Sequence, residues 1–163
     1  MRPIAQAIIM TPIGKIAVMN TEQALTQIDL QAQSVPYQLA AANSLTSIIV
    51  EQINAYFAKE IETFELPIDV KGTQFQEKVW RALGDIPFGK CLTYGELATH
   101  IETSARAIGG ACRNNPIPIV IPCHRIVAAN GIGGYSGQWR LGRKVDIKRW
   151  LLKHEQSEER QSR

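Results

Sequence analysis

Residues 93–113 read TYGELATHIETSARAIGGACR. Thr93 with Glu96 three positions on is the reciprocal capping pattern of a helix start, and Leu97 and Ile101 continue it as an apolar stripe. Thr103 or Ser104 opens a further helix after a break of only a few residues, running from Ala105 to Arg113. Two short helices joined by so brief a turn form a helix-turn-helix, whose second helix often enters a DNA groove. That helix is lined with small residues and carries Arg106 and Arg113 seven positions apart, on nearly the same face. Gly109 and Gly110 each weaken it by about 1 kcal/mol relative to alanine. They suit close approach, either of a nucleic-acid backbone or of a packed neighbour.

Working outward toward the N-terminus, Thr73 with Gln76 starts another helix, bearing Phe75, Val79, Trp80 and Leu83. Before it, Glu65-Leu66-Pro67-Ile68-Asp69-Val70-Lys71-Gly72 reads as a connector between two halves. In the first half, Ile4, Gln6 and Ile8, then Lys15 to Val18, alternate in places around a Thr11-Pro12-Ile13-Gly14 turn. This predicts a hairpin followed by a third strand near Ala24 to Leu30. Asn43 or Ser44 then caps a helix whose Leu45, Ile48, Ile49, Ile53, Tyr56 and Phe57 fall at helical spacing, so that it lies on the sheet. The predicted organisation is a small α/β unit over residues 1–70, a helical unit over 71–156 and a charged tail over 157–163.

The chain has 163 residues and a formal charge of +3, enough for one compact domain or two small ones. The charge is unevenly placed. Residues 1–70 hold three basic and seven acidic side chains, a balance of −4, and the remainder holds fifteen and eight, a balance of +7. The basic half is the one suited to a polyanion. Hydrophobic residues at 45% and charged residues at 20% exclude disordered and collagen-like classes. No apolar run approaches the ~18 residues of a membrane span, and the first fifteen residues lack a signal-peptide pattern, so a cytoplasmic protein is expected. Cys91, Cys112 and Cys123 form no CxxC motif and cannot all pair, which leaves free thiols rather than a disulfide framework or zinc knuckle.

Downstream of the helix-turn-helix, residues 114–127 read NNPIPIVIPCHRIV. Prolines flank a very short apolar strand expected to end at Cys123. A buried structural cysteine is ordinarily inert, but here His124 and Arg125 are adjacent and a glycine-rich loop, Asn130 to Gly137, follows. Positive neighbours lower a thiol's pKa, so these residues suggest an activated cysteine nucleophile.

Pro122-Cys123-His124-Arg125-Ile126, preceded by Asn115-Pro116 and followed by Gly134-Tyr135-Ser136-Gly137 and by Trp150-Leu151-Leu152-Lys153-His154-Glu155, closely resembles the O6-alkylguanine-DNA alkyltransferases. The resemblance runs from Phe75 to Glu155 and extends weakly to the Thr11–Gly14 turn. It implies an N-terminal ribonuclease-H-like α/β domain and a C-terminal helical, winged-helix-like DNA-binding domain. The activity it implies is direct-reversal DNA repair, in which an alkyl group passes irreversibly from O6 of guanine, and O4 of thymine, to Cys123 in a single turnover.

The same resemblance implies roles for individual residues. His124 would be the base, reaching the thiol through a water, and Glu155 the carboxylate that orients it. Tyr94 would protonate guanine N3 as the alkyl group leaves, and Asn115 would be the hinge that holds the thiol loop. Arg106 would fill the stack vacated by a flipped nucleotide, with Ala107, Gly109 and Arg113 also meeting DNA. Carbonyls of Cys123 and Ile126, the Ser136 backbone N–H, Tyr135 and Lys148 would form the substrate pocket. Residues 136–147 are longer than the family's compact connection and place Arg140, Arg143 and Lys144 within reach of a phosphate. Cys112 stands where methionine or another apolar residue is frequent.

No cofactor is implied. With only His100, His124 and His154 present, the N-terminal zinc ligands of some members are absent, and no metal is expected. The expected partner is double-stranded alkylated DNA, approached through its minor groove by a monomer, with no membrane. Two rival classes, a thiol hydrolase and a lesion-recognition protein without transfer, are disfavoured by the adjacent Cys-His pair and by the presence of Cys123. A sequence-specific transcription regulator is disfavoured by the scarcity of base-reading side chains on the second helix.

Overall fold

The computed structural model describes residues 5–135 and 143–156. The chain forms two compact units, one comprising Met1–Lys71 with Pro116–Pro118 and the other Gly72–Asn115 with Ile119–Arg163.

In the first unit, β1 (Ala7–Thr11), β2 (Gly14–Asn20) and β3 (Leu25–Asp29) form an antiparallel sheet in that order. The hairpin closes where expected: Thr11 pairs with Gly14, and the Thr11 hydroxyl donates to the Gly14 carbonyl at 2.7 Å. Gly14 takes φ 105, a value a side chain would resist. Helix α1 (Leu45–Phe57) packs on β1 and β2, and Ser44 rather than Asn43 is its cap, accepting from Ser47 N at 3.2 Å. Its inward face is Thr46, Ile49, Ile53 and Tyr56, and the expected Ile48 is exposed. Thr46 reaches the interior because its hydroxyl donates to Asn20 Oδ1 at 2.8 Å, which removes the cost of burying it.

The second unit follows the capping signals closely. Helix α2 (Gln74–Gly84) has Thr73 and Gln76 in a full capping box, and buries Val79, Trp80 and Leu83. The Trp80 indole N–H donates to the Ala111 carbonyl at 2.9 Å, tying α2 to α4. A two-residue strand, β4 (Leu92–Thr93), runs directly into α3 (Tyr94–His100), where Thr93 and Glu96 form the second capping box. Helix α4 (Ala105–Arg113) is capped by Ser104, completing the helix-turn-helix. Strand β5 (Ile126–Val127) pairs in parallel with β4, and α5 (Arg143–His154) closes the unit against the chain around Cys123.

One expectation is corrected. No strand ends at Cys123: Ile119 and Val120 form a turn and Cys123–Arg125 is a single turn of 3-10 helix. Pro116, Pro118 and Pro122 offer no N–H to a ladder, so the apolar run cannot sustain strand pairing. Ile119 is buried at φ 77, a strained conformation for a β-branched residue, held by its surroundings. The regular strand begins only at Ile126, after the thiol.

The second capping box gives a stability test. Thr93→Ala removes the acceptor for Glu96 N, and urea unfolding should register a loss of about 1 kcal/mol; an unchanged midpoint would mean that tertiary packing alone sets the start of α3.

Candidate active site

The side chains singled out around Cys123 converge from four places in the second unit. The 3-10 turn supplies Cys123, His124 and Arg125, the start of α3 supplies Tyr94, the residue after α4's C-cap is Asn115, and α5 supplies Lys148 with Glu155 just past its end. Cys123 lines a cavity of about 510 Å³ together with Tyr94, Arg106, Gly109, Cys112, Arg113 and Tyr135. That volume lies within the ~300–1,000 Å³ range of small-molecule pockets. Its mouth carries the exposed Arg106 and Arg113, so the arginine face expected on α4 opens onto the thiol.

Asn115 holds the sulfur in place. Its Nδ2 donates both to the Ile121 carbonyl, at 2.8 Å, and to Cys123 Sγ, at 3.2 Å. Behind the thiol lies a buried group of polar side chains built on Glu155. His124 Nε2 is 2.7 Å from Glu155 Oε2, Arg125 Nε donates to Oε1 at 2.8 Å, and Arg125 Nη2 donates to Oε2 at 3.0 Å. Arg125 Nη1 donates to the Ile86 carbonyl at 2.6 Å, and its guanidinium stands 5.8 Å from the Phe88 ring centre. An ionised carboxylate only accepts, so His124 carries its proton on Nε2, and Nδ1 is left as the lone-pair nitrogen. Burial also lowers the His124 pKa, against the raising effect of Glu155, and favours the neutral ring.

The adjacency of His124 and Arg125 suggested a lowered thiol pKa, and this too is corrected. Burial pushes the Cys123 thiol up, opposed first by the Asn115 hydrogen bond, then by the charge of Lys148, and less by hydrogen bonds from its own backbone and the Tyr135 side chain. Arg125 is committed to Glu155, and His124 is neutral, so neither supplies the expected field. The resting sulfur is therefore a thiol, which needs a base before it can attack.

Lys148 lies behind the pocket wall. Its Nζ donates to the Ile126 carbonyl at 2.6 Å and to the Gly134 carbonyl at 2.8 Å, fastening β5 to the glycine loop. It also stands 5.7 Å from the Tyr94 ring centre, and burial lowers its pKa to about 8. The Tyr94 hydroxyl donates to the same Gly134 carbonyl over a long 3.4 Å. Burial pushes the Tyr94 pKa up, so the phenol holds its proton. Gly133, at φ 75, is required here, because a Cβ would come within 3.0 Å of the Tyr94 ring.

Of the other residues read from sequence, Tyr135 is buried in the wall, and Ile126 is buried with its carbonyl turned to Lys148. Ala107 is half-buried on α4 and is not among the residues lining the cavity. Ser136 and the segment to residue 142 lie outside the described residues, whereas Arg143 and Lys144 fall in the first turn of α5. Cys112, given no role from sequence, is buried in the cavity wall, and burial pushes its pKa up as well. Cys91 is exposed and lines a different cavity. Sequence reading missed the Arg125–Glu155 fork; the only signal was an arginine beside the histidine and a carboxylate after the last helix.

Comparison with known proteins accounts for both units. The family model for the DNA binding domain of 6-O-methylguanine DNA methyltransferase matches residues 74–157, and the model for that protein's ribonuclease-like domain matches residues 4–70. The chain belongs to this methyltransferase family. A methylated-DNA–protein-cysteine methyltransferase of Methanosarcina acetivorans is 37% identical over 93% of the chain and 97% of its own length. The crystal structure of Mycobacterium tuberculosis O6-methylguanine methyltransferase superposes with TM-score 0.78 at 35% identity, covering 93% of each chain. The Mycobacterium tuberculosis OGT crystallised in complex with DNA gives TM-score 0.77 at 38% identity, over 91% of this chain and 90% of that one. The α/β plus helical architecture read from the sequence is the architecture of the family.

Lys148→Met probes the wall. It removes a cation that favours the Cys123 thiolate, so iodoacetamide labelling of Cys123 at fixed pH should slow. It also leaves the buried Ile126 carbonyl without its lysine donor, at about 1–3 kcal/mol in chemical unfolding, and leaves Gly134 with the long Tyr94 hydrogen bond. Faster labelling in a protein that is still folded would contradict the electrostatic assignment.

Proposed function

We propose that the protein repairs alkylated DNA by direct reversal, taking a methyl or other alkyl group from O6 of guanine, and from O4 of thymine, onto Cys123 in a single turnover. The observation that carries this reading is the cavity itself: a held thiol, a neutral imidazole braced from behind, a protonated phenol and two exposed arginines share one pocket neighbourhood. The domain families of both units and the DNA complex of a related structure support the same reading.

The chemistry follows from those groups. His124 Nδ1 takes the Cys123 proton through a water, and the sulfur attacks the alkyl carbon in line as the carbon–oxygen bond breaks. Negative charge then develops on the base. Tyr94, whose raised pKa keeps it protonated until such an acceptor forms, donates to N3 and regains its proton from solvent. The product is a stable thioether, with no water-labile bond to reset the sulfur, so each molecule acts once.

The target carbon lies inside the base stack, so the nucleotide must leave it to reach Cys123. Arg106, exposed at the cavity mouth on α4, fills the vacated space, and Ala107, Gly109 and Arg113 line the approach to the minor groove. Tyr135, Ile126, the Cys123 carbonyl and Ser136 receive the base. Asn115 holds the sulfur, and Lys148 holds the two walls together. The protein works as a monomer in the cytoplasm. No described helix is long and apolar enough to cross a membrane.

Two substitutions test the division of labour. Arg106→Ala should slow transfer from an O6-methylguanine duplex by at least ~10-fold while leaving reaction with a free O6-alkylguanine base nearly unchanged, because only the duplex requires extrusion. Equal losses on both would remove Arg106 from that role. Tyr94→Phe should slow the single-turnover chemical step on both substrates by ~10²-fold or more, the usual worth of a positioned acid; a retained rate constant would leave Tyr94 as a packing residue.

A further inference from the structure

We propose that Arg125 is a positioning residue that keeps His124 in the one neutral form able to accept a proton, by neutralising the carboxylate that the two side chains share. The inference rests on His124 serving as the base in alkyl transfer.

Glu155 Oε2 accepts from His124 Nε2 at 2.7 Å and from Arg125 Nη2 at 3.0 Å, while Oε1 accepts from Arg125 Nε at 2.8 Å. All three side chains are buried, so water does not screen the carboxylate, and its charge is set by what touches it. With the guanidinium fork in place, the carboxylate is satisfied as an anion and needs only the Nε2–H of a neutral imidazole. Without the fork, the His124–Glu155 pair holds an uncompensated buried negative charge and binds one more proton at a higher pH.

Where that extra proton sits does not matter to the outcome. On the ring it makes an imidazolium with both nitrogens protonated. On the carboxyl it is donated to Nε2, and the neutral ring must then carry its hydrogen on Nδ1. Either form blocks Nδ1, the nitrogen turned to base chemistry in the present arrangement. Arg125 thus acts on the reaction without touching substrate.

The other charged neighbours do not duplicate this effect. Lys148 of α5 and Glu155 just past its end act on the ring, and from the 3-10 turn only Arg125 does so. Helix α2 also packs on the turn and carries Glu77, Lys78 and Arg81, with Asp85 at its end. Lys78, Arg81 and Asp85 are exposed and Glu77 is half-buried, and none of them shifts the His124 ring. Lys148 disfavours the imidazolium by its charge but makes its hydrogen bonds to Ile126 and Gly134, so it leaves the carboxylate unpaired.

The test compares Arg125→Gln with Arg125→Lys. Both lose the bidentate fork, but only the glutamine variant loses the charge. Single-turnover methyl transfer from an O6-methylguanine duplex to Cys123 is followed across about pH 5.5 to 9, with peptide mapping of the methyl group. The acid limb of the rate profile should move up by about 1–3 pH units in Arg125→Gln, and the lysine variant should restore most of that displacement. A loss of the same factor at every pH in both variants would show a purely structural role and overturn the proposal. A second readout is independent of alkyl transfer: ¹⁵N NMR of the His124 ring in the unreacted wild-type chain. A neutral Nε2–H tautomer near pH 7 supports the assignment, and an imidazolium there overturns it even if the duplex is repaired. If no methyl reaches wild-type Cys123, the functional reading fails and the same ¹⁵N titration in Arg125→Gln decides the coupling alone: uptake of the extra proton at a higher pH than in the wild type supports it, and an unchanged titration overturns it.

Discussion

The carboxylate of Glu155 is the constraint on which the site depends. It is buried, and it is reached by an imidazole and a guanidinium from one turn of 3-10 helix, so its position fixes where that turn lies. Removing one partner from such a group leaves charge in a medium that solvates it poorly, an outcome costlier than the net worth of the pair. The turn that presents Cys123 is therefore anchored from behind by charge. From the side it is held by Asn115, at the end of the helix that carries the arginines. Cys123, His124 and the arginine-bearing helix are linked through a few hydrogen bonds.

Burial and charge compete at the thiol, and burial wins. A thiolate ready at rest would be open to oxidation and to adventitious electrophiles. A buried thiol is quiet until its proton has somewhere to go. The same trade holds for Tyr94, whose phenol is buried enough to keep its proton, yet lies on the wall of the cavity that Cys123 lines. Lys148 mediates between them: its hydrogen bonds join the two walls, while its charge limits how far burial raises the sulfur.

Much of this was legible in the sequence where the signal is local. The capping pairs Thr73–Gln76 and Thr93–Glu96 marked helix starts that the structure reproduces with both reciprocal bonds, and Thr11–Gly14 marked the hairpin. The proline-flanked run before Cys123 misled, since its hydrophobicity reads as strand while its missing N–H groups forbid a ladder. Ile48 misled for the opposite reason: helical spacing includes it, but a hydrogen bond to Asn20 makes Thr46 the better inward residue. The Glu155 fork could not be read from spacing at all. Thirty residues separate Arg125 from Glu155, and only folding shows that the guanidinium faces the carboxylate rather than the sulfur.

The central claim is that Cys123 rests as a protonated thiol and depends on its base. The most direct measurement is the ultraviolet thiolate absorbance of the unreacted protein against pH, with a Cys123→Ser variant subtracted to isolate this sulfur. The account predicts no Cys123 thiolate at neutral pH and a midpoint above that of an ordinary cysteine. A thiolate already formed at pH 7 would contradict it, because the sulfur would then be activated by its electrostatic surroundings alone and the His124–Glu155 arrangement would have no proton to move.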